Sequence, residues 1–221
     1  MKIQVFQDKP VEYIDDILLK NGELQVLSSA DLLQIDKHDL RIWCHHKGIY
    51  GIPSKELIEI IRPHLVENKS IEVGAGCGVF GRALNIPSTD SMIQNKPEVK
   101  AYYSALGQPI VEYGKNVINL EASDAIAKFL PEVVFGSWVT QYVSPLETET
   151  PIGGGSVYGL KESEFMPKIN KYIIYGNDTV HRHKDIFRNP KYKVESIYNG
   201  QDFFSRASKP ELNCLYIVTH A

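Results

Sequence analysis

The spacing of apolar residues changes near residue 70 and divides this chain into a helical beginning and an alternating α/β remainder. In the beginning, Ser29 precedes ADLLQIDKHDLRIWCHHKG, where Leu33, Leu40, Trp43 and Cys44 recur near helical spacing. Asp36 to His38 interrupt that helix and Gly48 stops it. Pro53 and Ser54 then introduce KELIEIIRPHLVENK, in which Leu57, Ile58, Ile61 and Leu65 form one apolar stripe behind a serine N-cap, with Pro63 kinking or shortening the helix. From residue 70 the rhythm is strand, turn, helix. Ile71 to Val73, NIPSTDSM, NVINL, VVFGSWVT, KYIIYGN, KVESIYN and NCLYIVTHA read as strands, with helices over VFGRAL, QNKPEVKAYYSALG and ASDAIAKFL between the early ones.

Two features of this pattern predict topology. The unbroken apolar run after Pro131 suits a central strand covered on both faces. The polar connection from Asn199 to Asn213 is too short for a packed crossover helix, so the last two strands should pair antiparallel. The expected architecture is α/β: a seven-stranded, mostly parallel sheet with one antiparallel strand and helices on both faces. Residues 1–68 form an N-terminal helical cap over the cleft or one sheet face, and 69–221 form the core of one compact unit. The connection 144–165 is longer than most, and its Gly153-Gly154-Gly155, followed by Ser156 and Tyr158, reads either as a hinge and tip closing over a ligand or as a plain connection.

Chemistry concentrates in IEVGAGCGVFG. Gly74, Gly76 and Gly78 give G-x-G-x-G, while Gly76, Gly78 and Gly81 give the dinucleotide pattern G-x-G-x-x-G, and spacing alone does not choose between them. Glu72 ends the preceding strand, where a carboxylate facing the pocket would repel a pyrophosphate and favour a cationic ligand. With that acid, Glu72-Val73-Gly74-Ala75-Gly76-Cys77-Gly78 resembles the first motif of the class I S-adenosylmethionine-dependent methyltransferases, over roughly residues 69 to 221. The resemblance implies a Rossmann-like methyltransferase fold, S-adenosylmethionine as cofactor, and a site made of Glu72, Gly74, Ala75, Gly76 and Gly78. It also implies Asp90 on the ribose hydroxyls, and an acid followed by a small residue beside the adenine. Asp124-Ala125 fits the last pattern, with Glu121 as its rival. Ser137 and Trp138 follow the fourth strand, where the family brings cofactor and acceptor together, and the N/D-P-P-Y signature of many nucleic-acid amino-methylating members is missing there.

Charge and composition narrow the partners. The 24 basic and 27 acidic side chains give a net charge of −3, so no overall positive field holds a polyanion, and a small-molecule acceptor is favoured over nucleic acid. Three cysteines without C-x-x-C spacing argue against a disulfide framework and a cysteine-rich metal site. Cys44-His45-His46 cannot converge on one ion from a helix, and no metal is expected. The opening MKIQVFQDKPVEYIDD has acids where a signal peptide needs an apolar stretch, and no run of about 18 apolar residues occurs, so a cytoplasmic protein without a membrane anchor is expected. If the acceptor must lose a proton, His181 and His183 in GNDTVHRHK are the candidate bases, and Trp138, Tyr158 and His181 the candidate acceptor contacts. Two other readings stay open: an NAD(P)-dependent oxidoreductase holding pyrophosphate on the glycine turn, and a non-catalytic ligand-binding protein of the same fold.

Overall fold

The computed structural model describes residues 10–144 and 155–221, so Gly153 and Gly154 of the expected hinge lie outside the described residues. Seven strands form the main sheet: β1 Ser70–Val73, β2 Ser88–Asp90, β3 Val117–Asn119, β4 Val133–Ser137, β5 Lys171–Asn177, β6 Tyr192–Tyr198 and β7 Asn213–His220. Their spatial order is β6-β7-β5-β4-β1-β2-β3. The first five strands pair in parallel, and β7 runs antiparallel to both β5 and β6. The expected sheet with one reversed strand is what the chain forms, and β4 is its middle strand.

Alternation along the central strands explains the unbroken apolar runs. Val133 and Phe135 of β4, with Ile173 and Tyr175 of β5, enter one core cluster, while Val134, Tyr172 and Ile174 enter a second on the other face. Neither face of these stretches meets water, so hydrophobic residues occupy every position from Val133 to Phe135 and from Tyr172 to Tyr175.

The first cluster is covered by helices from the beginning of the chain: α1 Tyr13–Leu18, α2 Lys37–His46 and α3 Lys55–Ile61, joined by α4 Val79–Leu84 behind β1. Ile14, Leu18, Trp43, Cys44, Leu57 and Ile61 pack there with Phe80, Phe135 and Tyr175. The second cluster is covered by α5 Ala122–Phe129 and by the single helical turn Glu162–Phe165. Between β2 and β3 lies an insertion that carries α6, Pro97–Ala105.

Local chemistry sets the helix boundaries. The predicted interruption is a true break, because Asp36 accepts from the His38 and Asp39 amides and starts α2 afresh, while a separate turn at Ser29–Leu32 is capped by Ser28. Ser54 caps α3 through the Leu57 N–H, and Pro63 converts its end to a 3₁₀ turn. Gly48, in the left-handed region at φ +65°, ends α2, and a Cβ there would lie 2.5 Å from the Ile110 carbonyl oxygen. This close approach lays the beginning of the chain against the insertion. Gly51 and Ile52 also pair antiparallel with Ser205 and Phe204 between β6 and β7. No helix among the described residues is long and apolar enough to cross a membrane.

Candidate functional site

A cleft opens where β1, β2, β3 and β4 end at their carboxyl edges, the position at which open α/β sheets bind ligands. Its floor is the glycine turn. Gly74, Gly76 and Gly78 all lie in the left-handed region, at φ +63°, +54° and +67°, and the Gly78 N–H closes the turn on the Ala75 carbonyl. Asp90, at the end of β2, fastens this floor: Oδ2 accepts the Gly76 N–H at 3.0 Å and Oδ1 accepts the Met92 N–H at 2.8 Å. Burial raises its pKa and the two amides oppose that rise. A carboxylate has more acceptor sites than these two bonds use, so Asp90 can still receive a hydroxyl from the cleft.

Glu72 is placed otherwise than its position in the motif suggests. It is fully buried beneath the turn, where Oε2 accepts both the Gly81 N–H and the Ser88 hydroxyl at 2.8 Å. Oε1 has no hydrogen-bond partner among the described residues. Burial pushes its pKa up to about 7, against the weaker opposing effect of Ser88 and Gly81. Glu72 therefore braces α4 against β1 and β2 and does not line the cleft.

The other walls come from five segments. Lys47 to Gly51, after α2, line one side, and Tyr103, Val111, Glu112 and Tyr113 of the insertion line another. Leu120, Glu121 and Ala122 close the end of β3, and Ser137 to Thr140 close the end of β4 opposite Tyr158 and Leu160. The Tyr158 segment is held by reciprocal backbone bonds, Tyr142 N–H to Leu160 O and Leu160 N–H to Thr140 O, both 2.8 Å. Tyr50 is wedged between the Arg206 guanidinium, 3.5 Å from its ring centroid, and the Trp138 ring at 6.2 Å. Tyr158 stacks on Tyr103 with centroids 6.5 Å apart.

The cleft thus brings together Gly74, Ala75, Gly76, Asp90, Ser137, Trp138 and Tyr158 of the residues expected from sequence. It leaves out others. Gly78 lies one step below, starting α4 and accepting the Asn116 amide through its carbonyl. Asp124 is exposed on the first turn of α5, and Ala125 is buried in the second core cluster, so neither faces the cleft. Glu121 and Ala122 take their place and carry the same signal, an acid followed by a small residue, three positions nearer the strand end. Glu121 precedes α5 without a side-chain capping bond, which leaves its carboxylate available to a ligand. Glu121→Ala should weaken binding at this cleft by about 1 to 3 kcal/mol, as for a lost hydrogen bond to a charged group, while Asp124→Ala leaves affinity unchanged in a calorimetric titration.

The histidines are corrected too. His181 is fully buried, its Nδ1 accepting the Asn177 N–H at 3.0 Å and its ring edge-on to Trp138 at 5.5 Å. Burial and then Lys184 hold its pKa down to about 3, so it backs the Trp138 wall as a neutral ring and does not reach the cleft. His183 accepts from the Arg182 Nε on the surface, also away from the cleft. The turn Asp178–His181 at the end of β5 is helical, so the two rings do not share the face that an extended segment would give them. Lys47, Tyr50 and Tyr113 had no motif to mark them, because they reach the site only through tertiary packing.

The donor set suits a nucleoside carrying positive charge. Asp90 and Glu121 stand at neighbouring strand ends, and Ile93, Val111 and Leu120 supply apolar surface for a base. The charged lining residues among those described are Asp90, Glu112, Glu121 and Lys47, and Lys47 is tied to Asp15 at 2.8 Å.

No protein-family model and no curated protein matches the chain. Solved structures that resemble it include the precorrin-6y C5,15-methyltransferase of Geobacter metallireducens, at 14% identity over 77% of this chain and 89% of that one, TM-score 0.37. An rRNA methylase from Streptococcus thermophilus resembles it at 13% identity over 75% and 95%, TM-score 0.38. TrmK of M. capricolum, in complex with S-adenosyl-homocysteine, does so at 12% identity over 74% and 67%, TM-score 0.33. At these scores the functional reading stands on the chain's own residues. The sheet itself is mostly parallel, with β7 reversed between β5 and β6 and helices on both faces, the α/β architecture that the sequence pattern predicts.

Proposed function

We propose that this chain is an S-adenosylmethionine-dependent methyltransferase acting on a small-molecule acceptor. The observation that carries this reading is the charge of the cleft: three carboxylates, Asp90, Glu112 and Glu121, against one lysine already paired with Asp15. The two phosphates of NAD(P) would meet those carboxylates with no free cation among the described lining residues, whereas an ammonium, a sulfonium and a ribose diol are complementary to them. S-adenosylmethionine, when bound, supplies the methyl group on a sulfonium that is already an activated electrophile. The chain's own residues then hold and orient. Asp90, kept in place by the Gly76 and Met92 amides, receives the ribose hydroxyls. Glu121 and Ala122 border the adenine. Ser137 and Trp138 border the reacting centre, where the aromatic side chains exclude water and align the acceptor for in-line displacement. His181 and His183 take no part in proton transfer.

Isothermal titration calorimetry tests the reading. Micromolar binding of S-adenosylmethionine and of its demethylated product, lost in Asp90→Ala, is expected with no heat from NAD. Binding of NAD with none of S-adenosylmethionine overturns it in favour of an oxidoreductase.

A further inference from the structure

We infer that the methyl acceptor is a planar heteroaromatic compound without negative charge, methylated on a ring nitrogen. This inference rests on the methyltransferase reading of the same cleft and adds the acceptor class to it.

Four aromatic side chains from four separate segments line the cleft. Tyr50 follows α2, Tyr103 lies on α6, Trp138 follows β4 and Tyr158 follows the 145–154 connection. They form two pairs, Tyr50 beside Trp138 at 6.2 Å and Tyr103 stacked with Tyr158 at 6.5 Å. Burial, and then the neighbouring Tyr50, push the Tyr103 pKa up to about 12, so its ring stays a neutral phenol and adds no charge. One core aromatic beside a cleft is ordinary packing. Four drawn together from distant segments around an opening present flat, polarisable walls, and such walls hold a planar ring best.

The charge of the lining selects further. Carboxylates predominate, and Arg206 is not among the lining residues: its guanidinium lies on the Tyr50 face and its Nη2 donates to the Gln108 amide oxygen at 2.9 Å, while Nη1 is buried without a hydrogen-bond partner among the described residues. An acceptor bearing carboxylate or phosphate would be repelled, whereas a neutral or cationic ring is accepted. The reaction then balances without a base. The ring nitrogen's lone pair forms the bond to the methyl carbon as the methyl–sulfur bond breaks, its electron pair stays on sulfur, and the positive charge passes from sulfur to nitrogen. No proton has to leave, and no imidazole among the described residues lines the cleft to take one. The cation formed on the ring is held by the same aromatic faces and carboxylates.

The test is a calorimetric titration of the protein saturated with S-adenosyl-homocysteine, using quinoline, N-methylquinolinium and 2-naphthoate, which share a bicyclic shape and differ in charge. Quinoline and N-methylquinolinium should bind at least tenfold more tightly than 2-naphthoate, and Tyr158→Leu, checked for folding by its thermal midpoint, should weaken both at least fivefold. Release of S-adenosyl-homocysteine from S-adenosylmethionine should follow addition of quinoline and not of 2-naphthol. Equal affinity for 2-naphthoate, no binding of either quinoline, or turnover of the naphthol alone overturns the acceptor class. A protein that fails to bind S-adenosyl-homocysteine at the outset refutes the methyltransferase reading itself, and the acceptor class falls with it.

Discussion

Gly76→Val should abolish measurable S-adenosylmethionine binding, an expected loss of at least about a hundredfold, or roughly 3 kcal/mol at a tenfold change per 1.4 kcal/mol. Gly76 sits at φ +54°, where a β-branched residue is strained, and its Cβ would stand 3.1 Å from Val111 Cγ1 in the cleft wall. Relief of that strain turns the Gly76 N–H away from Asp90, so the floor of the site and the carboxylate at its side lose their register together. Because Gly76 lines the cleft and belongs to neither core cluster, the variant should keep a cooperative thermal transition. Wild-type affinity in a calorimetric titration of Gly76→Val would show that the ligand sits elsewhere.

The second large effect is on stability and its dependence on pH. The Glu72 pKa rises from an ordinary 4.5 to about 7 because the carboxyl is buried. Such an acid binds its proton more tightly when folded than when unfolded. Its contribution is therefore full below about 4.5 and is lost as pH rises to about 7. That span corresponds to roughly 3 kcal/mol. Glu72→Gln keeps an acceptor for the Gly81 N–H and the Ser88 hydroxyl without the titration. Urea unfolding at a series of pH values from 5 to 8 should show the glutamine variant gaining on the wild type by about that amount, and becoming the more stable at pH 8. His181, with its pKa held down, contributes in the opposite direction, since the folded protein resists a proton that the unfolded chain takes up below its ordinary 6.5. The difference between variant and wild type cancels the histidine and isolates Glu72. Parallel curves for the two proteins would show that the carboxyl under the turn remains ionised when folded.

Local patterns carried most of the architecture. The period change near residue 70, the continuous run Val133 to Phe135 and the short connection after Asn199 led to the strands, the central β4 and the reversed β7, because each reports a constraint acting within a few residues: which faces are covered, and how far the chain can travel between strands. The glycine turn was legible for the same reason, since backbone bends demand particular residues at particular steps.

The site's chemistry depended on direction and neighbours, which spacing does not encode. Whether Glu72 points up into the cleft or down into the core is decided by Ser88 and by the approach of α4. Whether Asp124 or Glu121 lines the cleft is decided by where β3 stops and α5 begins, a shift of three residues that puts one acid in the cleft wall and leaves the other on the surface. His181 carried the reference chemistry of a base and was placed against Trp138, where burial removes its proton affinity. The sequence by itself determined the strand order's ingredients, the bend and the acids at its edge. Only the tertiary structure decided which acids line the cleft and that Tyr50, Tyr103, Trp138 and Tyr158 line it together, because contacts between segments so far apart along the chain arise from packing of the whole sheet and its helices.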